Sequence, residues 1–102
     1  MKVYNKLVRD RIPEIIKNSG SECECSVVTG AEKTEMLEKK LMEEVEEFLE
    51  AKNLEELADV MEVLFGLADV LGYSEEDLVK AREKKRDERG EFKEGIVLNK
   101  TF

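Results

Sequence analysis

The chain of 102 residues contains no histidine and no tryptophan, has one proline and two cysteines, and only 6% of its residues are aromatic. Without histidine, an imidazole base, a histidine-ligated zinc ion and a Ser-His or Cys-His nucleophile are all excluded. Any catalysis must therefore use carboxylates, lysine, arginine, tyrosine or a metal ion.

The two cysteines, Cys23 and Cys25, alternate with polar residues, which predicts both thiols on one face of an extended segment. With no further cysteine and no histidine, they cannot close a zinc site. Two cysteines this close in sequence would also make a poor structural disulfide. We expect ordinary packing here, and a metal or redox role stays open.

Long apolar runs are also missing: none approaches the roughly 20 residues of a membrane span, and the first residues lack the pattern of a signal peptide. We therefore expect a cytoplasmic protein with no membrane partner. The net charge is −8, from 25 acidic and 17 basic residues, which disfavours nonspecific binding to nucleic acid. An acidic protein that handles phosphate groups needs metal ions between the two.

What the chain does have is helical periodicity, which predicts an all-α fold in a single domain, residues 1–102. The predicted helices are 12–17, 34–52, 54–71 and 75 to about 89. Asn53, with Glu56 three residues later, has the form of a capping box, so the two long helices should form an antiparallel hairpin. Gly72 and Gly90 should end the last two helices.

The predicted helix 54–71 carries apolar residues nearly all round. One stripe contains Leu57, Met61, Leu64, Ala68 and Leu71. A helix that is apolar on several faces must be buried on several faces, and a chain this short cannot supply that cover alone. We expect a helical bundle completed by oligomerisation, with this helix at the subunit interface.

Carboxylates cluster on both helices of the predicted hairpin, at Glu43–Glu47 and at Glu56–Asp59, with Glu62 one turn further on. On a helical wheel, Glu44 lies at the edge of the apolar stripe and Glu47 one step further out, so both should be half-buried. Glu46 and Glu50 should point to solvent.

A hairpin folded about Asn53 would place Glu47 level with Asp59, and Glu44 level with Glu62. Carboxylates that face one another at the border of a core repel unless a cation neutralises them. Oxygen ligands of this kind suit Mg²⁺ or Mn²⁺. The alternative is an ordinary solvated acidic face, in which Glu56 only caps a helix.

These motifs resemble the all-α nucleoside triphosphate pyrophosphohydrolase superfamily, which includes MazG-like and phosphoribosyl-ATP pyrophosphohydrolase-like proteins. The superfamily pattern, Glu-Glu-x-x-Glu and then Glu-x-x-Asp, is similar to Glu43–Glu47 and Glu56–Asp59. The segments 4–16, 56–63, 85–92 and 95–98 resemble one branch of the superfamily. The similarity covers nearly the whole chain apart from residues 18–30.

The resemblance implies a helical bundle formed by a dimer or a dimer of dimers. It also implies Mg²⁺-dependent hydrolysis of a nucleoside triphosphate between the α and β phosphorus atoms, giving a monophosphate and pyrophosphate. The metal ligands carry over to Glu44, Glu47, Glu56 and Asp59. Because the spacer between the motifs is shorter than usual, Glu62 is an alternative ligand to Glu56.

The remaining roles are assigned from chemistry. A spare carboxylate, Glu43 or Glu47, could orient the attacking water or accept its proton. Phosphate charge would be met by basic side chains, whose candidates are Lys6, Arg9, Lys84, Lys85, Arg86, Arg89 and Lys93. Basic residues at the C-terminal end of a helix also interact favourably with the helix dipole. The alternative is therefore that those on the last helix stabilise it and do not bind substrate.

Three functions remain open from the sequence. The first is a house-cleaning pyrophosphohydrolase of canonical or damaged nucleoside triphosphates. The second is a phosphoribosyl-ATP pyrophosphohydrolase of histidine biosynthesis, which the distinctive opening and closing motifs disfavour. The third is a non-catalytic helical interaction module whose acids are surface residues. The identity of the base, the number of metal ions and the size of the oligomer do not follow from the sequence.

Overall fold

The computed structural model describes all 102 residues and contains four helices and no strand. The helices are α1 (Ile12–Asn18), α2 (Gly30–Ala51), α3 (Leu54–Val70) and α4 (Glu75–Arg89). The prediction of an all-α fold is therefore confirmed. None of the helices combines the length and the apolar character that crossing a membrane would require.

The turn between α2 and α3 consists of Lys52 and Asn53. Lys52 adopts the left-handed conformation (φ 51°, ψ 46°), and its backbone N–H donates to the Phe48 carbonyl at 2.7 Å. Asn53 caps α3, since its Oδ1 accepts from the backbone N–H of Glu56 at 2.9 Å. The predicted hairpin and cap are confirmed, but Glu56 does not return a side-chain bond to Asn53, so only half of the capping box forms.

The predicted start of α2 at Thr34 is wrong by one turn, because the helix begins at Gly30 after Thr29. Thr34 lies inside the helix, where its hydroxyl donates to the carbonyl of Gly30 at 3.3 Å. A threonine inside a helix commonly bonds back in this way to the residue four positions earlier.

The predicted ends of α3 and α4 are confirmed. Gly72 follows α3 with φ 89°, a left-handed conformation that glycine adopts without steric cost. Ser74 and Asp77 then form a complete capping box: the Ser74 hydroxyl accepts from the Asp77 N–H, and the Asp77 carboxylate accepts from the Ser74 N–H. Gly90 closes α4.

The core lies between α2 and α3 and is small. The only buried apolar residues are Leu37, Val63 and Ala68, and the only buried charged residue is Glu44. A Cβ atom built on Gly66 would lie 3.0 Å from Cδ2 of Leu37, so the two helices approach closely at this point. α4 packs against α3, whereas α1 packs against none of the other helices.

The hairpin has an exposed apolar face, formed by Met42, Val45 and Leu49 of α2 and by Leu57, Met61 and Leu64 of α3. These side chains are between 39% and 68% exposed. At about 100° per residue, they point to the side of the hairpin opposite to the one that carries Glu43, Glu47 and Glu62. One chain therefore leaves most of the predicted interface uncovered.

The remaining segments extend the molecule. Residues 91–102 form neither helix nor strand and are exposed. The two cysteines are free, and their Sγ atoms lie 3.8 Å apart on the non-helical segment before α2, as expected for thiols on one face. The radius of gyration is 17.7 Å and the principal extents are 61 × 31 × 23 Å.

Candidate functional site

Three carboxylates converge where the first turns of α3 meet the middle of α2. Glu44, Glu56 and Asp59 each place one oxygen so that all three oxygens lie within 4.8 Å of one another. The hairpin produces this arrangement because Glu56 and Asp59 lie three residues apart on the side of α3 that faces α2. These are three of the four residues to which the sequence resemblance assigns a metal.

Glu44 is the most informative member of this carboxylate cluster. It is only 6% exposed, and its Oε2 is buried without a hydrogen-bond partner. Oε2 of Glu56 is buried and unpartnered in the same way. An unpaired charged oxygen is costly to remove from water, so both atoms call for a proton or a cation. Hard divalent cations bind oxygen ligands of this type, and the donor set therefore fits Mg²⁺ or Mn²⁺.

Lys40 supplies part of the missing positive charge. Its Nζ lies 3.2 Å from Oε1 of Glu44 and 3.4 Å from Oε1 of Glu43. Burial alone would lower the pKa of Lys40, but its hydrogen bonds to these two carboxylates and their charges outweigh the burial, and the pKa is raised. Lys40 pairs with Oε1 of Glu44, whereas Oε2 of Glu44 has no partner.

Two further cations come from the segment before α1, Lys6–Arg9, which we call the N-terminal strap. Arg9 places Nη2 2.6 Å from Oδ1 of Asp59 and Nη1 3.9 Å from Oε1 of Glu62. Lys6 places Nζ 3.7 Å from Oε1 of Glu43. The sequence singled out both basic residues as candidates for phosphate binding, and the structure brings both to the rim of the carboxylate cluster.

The predicted register of the hairpin is wrong by about one helical turn. Glu44 faces Glu56 and Asp59 rather than Glu62, and Glu62 lies outside the convergent group, near Arg9. The reason is the left-handed Lys52, which ends α2 at Ala51. The pivot of the hairpin therefore lies before Asn53, and each residue of α2 meets an earlier residue of α3.

Glu47 is exposed, which contradicts its predicted half-buried position, whereas Glu46 and Glu50 are exposed as expected. Repulsion from the Glu44 charge is the main reason that the pKa of Glu47 is raised, followed by the hydrogen bond that a protonated Glu47 can make to Glu44. While both groups are ionised, neither can donate a hydrogen to the other. Glu47 therefore lies beside the cluster, sensitive to its charge, and not among the three convergent oxygens.

The basic residues of α4 and the tail do not reach this site within one chain. No ion pair joins the carboxylate cluster to Lys84, Lys85, Arg86, Arg89 or Lys93, and Lys93 pairs instead with Glu91 at 3.5 Å. Glu75, at the start of α4, lines a shallow cleft with Arg9. Arg89 follows 14 residues later, or about 20 Å along the helix. A role of these side chains in phosphate binding stays a prediction.

The sequence analysis missed Lys40, whose ammonium pairs with the buried carboxylate of Glu44. A usable signal was present, because Lys40 precedes Glu44 by four positions and Glu43 by three, and such pairs meet on a helix. The pairing of Arg9 with Asp59 had no comparable signal, since 50 residues separate the two.

No family model, curated protein or solved structure matches this chain. The resemblance carried by the sequence motifs remains a prediction, and the function must be argued from the carboxylate cluster itself.

Proposed function

We propose that this protein is a metal-dependent nucleoside triphosphate pyrophosphohydrolase of the MazG-like type, which cleaves between the α and β phosphates and releases a monophosphate and pyrophosphate. The observation that carries the proposal is Glu44. It is a buried carboxylate with an unpartnered oxygen, and it converges with Glu56 and Asp59. A solvated acidic face would leave these oxygens in water.

Glu44, Glu56 and Asp59 would hold Mg²⁺. A cation held by these residues would supply positive charge against the triphosphate and would lower the pKa of a coordinated water. Glu47 is suited to accept the proton of the attacking water, because it is an exposed carboxylate that lies beside the cluster without belonging to the three convergent oxygens. Glu43 is less suited to this role, because the ammonium groups of Lys6 and Lys40 both approach it.

The active form would be a homodimer or a dimer of dimers. One chain of 102 residues buries four residues, and the apolar face of its hairpin is exposed. A second copy is the partner that a small domain commonly uses to complete its core. It would also provide a second set of α4 side chains, which is a route by which Lys84, Arg86 or Arg89 could approach triphosphate.

The test is product analysis by anion-exchange chromatography. The purified protein is incubated with a panel of canonical and modified nucleoside triphosphates and with phosphoribosyl-ATP, in Mg²⁺ or in EDTA. We expect monophosphate and pyrophosphate from a subset of triphosphates, and no product in EDTA. Glu44→Gln should abolish the reaction, whereas Glu46→Gln, an exposed position on the same helix, should retain it. Turnover of phosphoribosyl-ATP alone would assign the histidine-pathway reaction instead.

A non-catalytic interaction module is the second candidate, and one observation favours it. Lys6, Arg9 and Lys40 already contact carboxylates of the site, so the protein carries its own counterions. For such a module, no triphosphate in the panel would be hydrolysed, and millimolar Mg²⁺ would not raise the melting temperature. The enzyme instead requires metal-dependent stabilisation that is lost in Glu44→Gln.

A further inference from the structure

Three ion pairs join the N-terminal strap to the hairpin. Its two cations meet three carboxylates of α2 and α3, through Lys6 with Glu43 and through Arg9 with Asp59 and Glu62. The helix that follows the strap, α1, packs against no other helix. Leu7 is the only residue of the strap that is half-buried, so without these ion pairs one apolar side chain would remain to hold the strap in place.

Arg9 pairs with Asp59, which is one of the three carboxylates of the cluster. Asp59 belongs to the convergent group with Glu44 and Glu56, and the guanidinium of Arg9 lies 2.6 Å from its Oδ1. The guanidinium does not reach the buried oxygens, because Oε2 of Glu44 and Oε2 of Glu56 stay unpartnered. Arg9 and Lys40 therefore each pair with one oxygen of the cluster, Oδ1 of Asp59 and Oε1 of Glu44. They leave Oε2 of Glu44 and Oε2 of Glu56 without a partner.

The Arg9 ion pair is also one that can be exchanged. The Arg9 side chain is 54% exposed and that of Asp59 is 39% exposed, and ion pairs exposed to this degree are weak. Arg9 also lines a shallow cleft of about 270 Å³ with Ala58, Phe65 and Glu75. The Arg9 side chain therefore has open space next to it, on the side of Glu62 and Glu75, into which the guanidinium can move away from Asp59.

Resting on the proposed function, we infer that Arg9 is the resident counterion of Asp59 and that a divalent cation takes its place. Release of Arg9 loosens the strap and frees its guanidinium and the Lys6 ammonium for the phosphate groups of the substrate. Metal binding and phosphate recognition are thereby coupled: the cations that block the carboxylates in the metal-free protein become phosphate ligands once the metal is bound.

Limited trypsin digestion measures the release directly, because trypsin cleaves after Arg9. The full chain is digested with and without Mg²⁺, and the cut between Arg9 and Asp10 is followed by mass spectrometry. The expected result is faster cleavage at this bond in Mg²⁺, while sites in the helices become more protected. Slower or unchanged cleavage after Arg9 in the Mg²⁺-bound protein would overturn the inference.

Isothermal titration with Mg²⁺ tests the competition. Arg9→Met removes the counterion and should tighten Mg²⁺ binding by about fivefold, the equivalent of an exposed ion pair. Arg11→Met is the matched control. It removes the same charge two residues away, and Arg11 pairs with Glu14 and not with the cluster. Equal tightening by both variants would mean that only the overall charge matters, which also overturns the inference.

Different results would contradict the exchange of Arg9 and the proposed function. Mg²⁺-dependent hydrolysis with a strap that stays protected would leave the proposed function intact and remove the exchange. Absence of Mg²⁺ binding in the folded wild-type protein, with its helical content checked by circular dichroism, would remove both.

Discussion

The two sides of the α2–α3 hairpin differ in character, one acidic and one apolar, and a single chain compensates them to different extents. On the acidic side, Lys40 and the N-terminal strap bring three cations to the carboxylates. On the other side, the apolar face is only partly covered, and Leu57 and Met61 are each about half exposed. A charge can be balanced by one well-placed side chain, whereas apolar area must be covered by a comparable area of protein. One chain therefore supplies part of the counter-charge on the acidic side and leaves Oε2 of Glu44 and of Glu56 without a partner. It leaves the apolar side about half exposed, and a second copy is the cover that we propose for it.

The largest effect is expected from placing a charge on the apolar face. Met61→Glu would bury a carboxylate between two copies, which is strongly unfavourable, and should weaken self-association by roughly 100-fold, the equivalent of about 3 kcal/mol. Sedimentation equilibrium measures this. Met61→Leu conserves the apolar volume and should keep the wild-type association. A wild-type protein that stays monomeric at all concentrations would contradict the proposed interface.

The next effect is on the free energy of unfolding, and it should differ between the core of the hairpin and its exposed apolar face. Leu37 is buried within one chain, and Leu37→Ala should lower the free energy of unfolding by about 3 kcal/mol at every protein concentration. Leu49 is exposed on the apolar face, so Leu49→Ala should lower stability mainly at concentrations where the protein associates. Urea unfolding at two protein concentrations distinguishes the two. The same concentration dependence for both variants would contradict this separation.

A smaller effect is expected on the acidic side. Lys40→Met removes the ammonium beside Glu44 and leaves a buried carboxylate without its partner, which should cost about 2 kcal/mol in metal-free buffer. Mg²⁺ should restore much of this loss, because it supplies the missing charge. Lys39→Met, an exposed neighbour with no ion pair, is the control and should change little. A Lys40→Met protein as stable as wild type in EDTA would contradict the role assigned to Lys40.

The smallest effect on stability is expected away from both faces of the hairpin, at the N-terminal cap of α4. Backbone and side-chain hydrogen bonds from Ser74 hold the pKa of Asp77 below its ordinary value of 3.8. The folded state thus favours the ionised form, and this stabilisation is complete above pH 3.8 and is lost as the pH falls through the lowered pKa. Asp77→Asn should remove that part of the acid-induced loss of stability, whatever the metal or protein concentration.

Chemical unfolding between pH 2 and pH 6 measures the acid dependence. Glu76→Gln is a matched control in the same turn, because its carboxylate pairs with Lys80 and not with the backbone of the cap. Ser74→Ala should cost about 1 kcal/mol at neutral pH. An unchanged acid profile in Asp77→Asn would show that the cap does not contribute.

Features governed by neighbouring residues could be read from the sequence. Asn53 and Ser74 begin helices, and Gly72 and Gly90 end them, because the chemistry of capping acts over three or four residues. The burial of Glu44 at the edge of an apolar stripe followed from helical periodicity, although the wheel underestimated it. The helical wheel also predicted that Glu47 is half-buried, whereas it is exposed. A wheel shows which direction a side chain points but not how far the neighbouring helix covers that side.

Features that depend on how separate segments meet could not be read. A single left-handed residue, Lys52, moved the facing pairs by one turn and replaced Glu62 with Glu56 and Asp59. The contact of Arg9 with Asp59 joins residues 50 positions apart and leaves no periodic trace. Of the five carboxylates predicted as metal ligands, Glu44, Glu56 and Asp59 converge, whereas Glu47 and Glu62 do not. Lys6 and Arg9 were predicted as phosphate ligands, but their pairing with carboxylates is visible only in the tertiary structure.

The elongated shape of the chain has a consequence for hydrodynamics. A compact domain of this length has a radius of gyration of about 13 Å, whereas this chain reaches 17.7 Å and extends over 61 Å. A single copy would diffuse slowly and elute early from a gel-filtration column calibrated with globular standards, at the volume of a heavier protein. Elution volume would therefore suggest a dimer even for a monomer, and the molar mass must come from sedimentation equilibrium or light scattering.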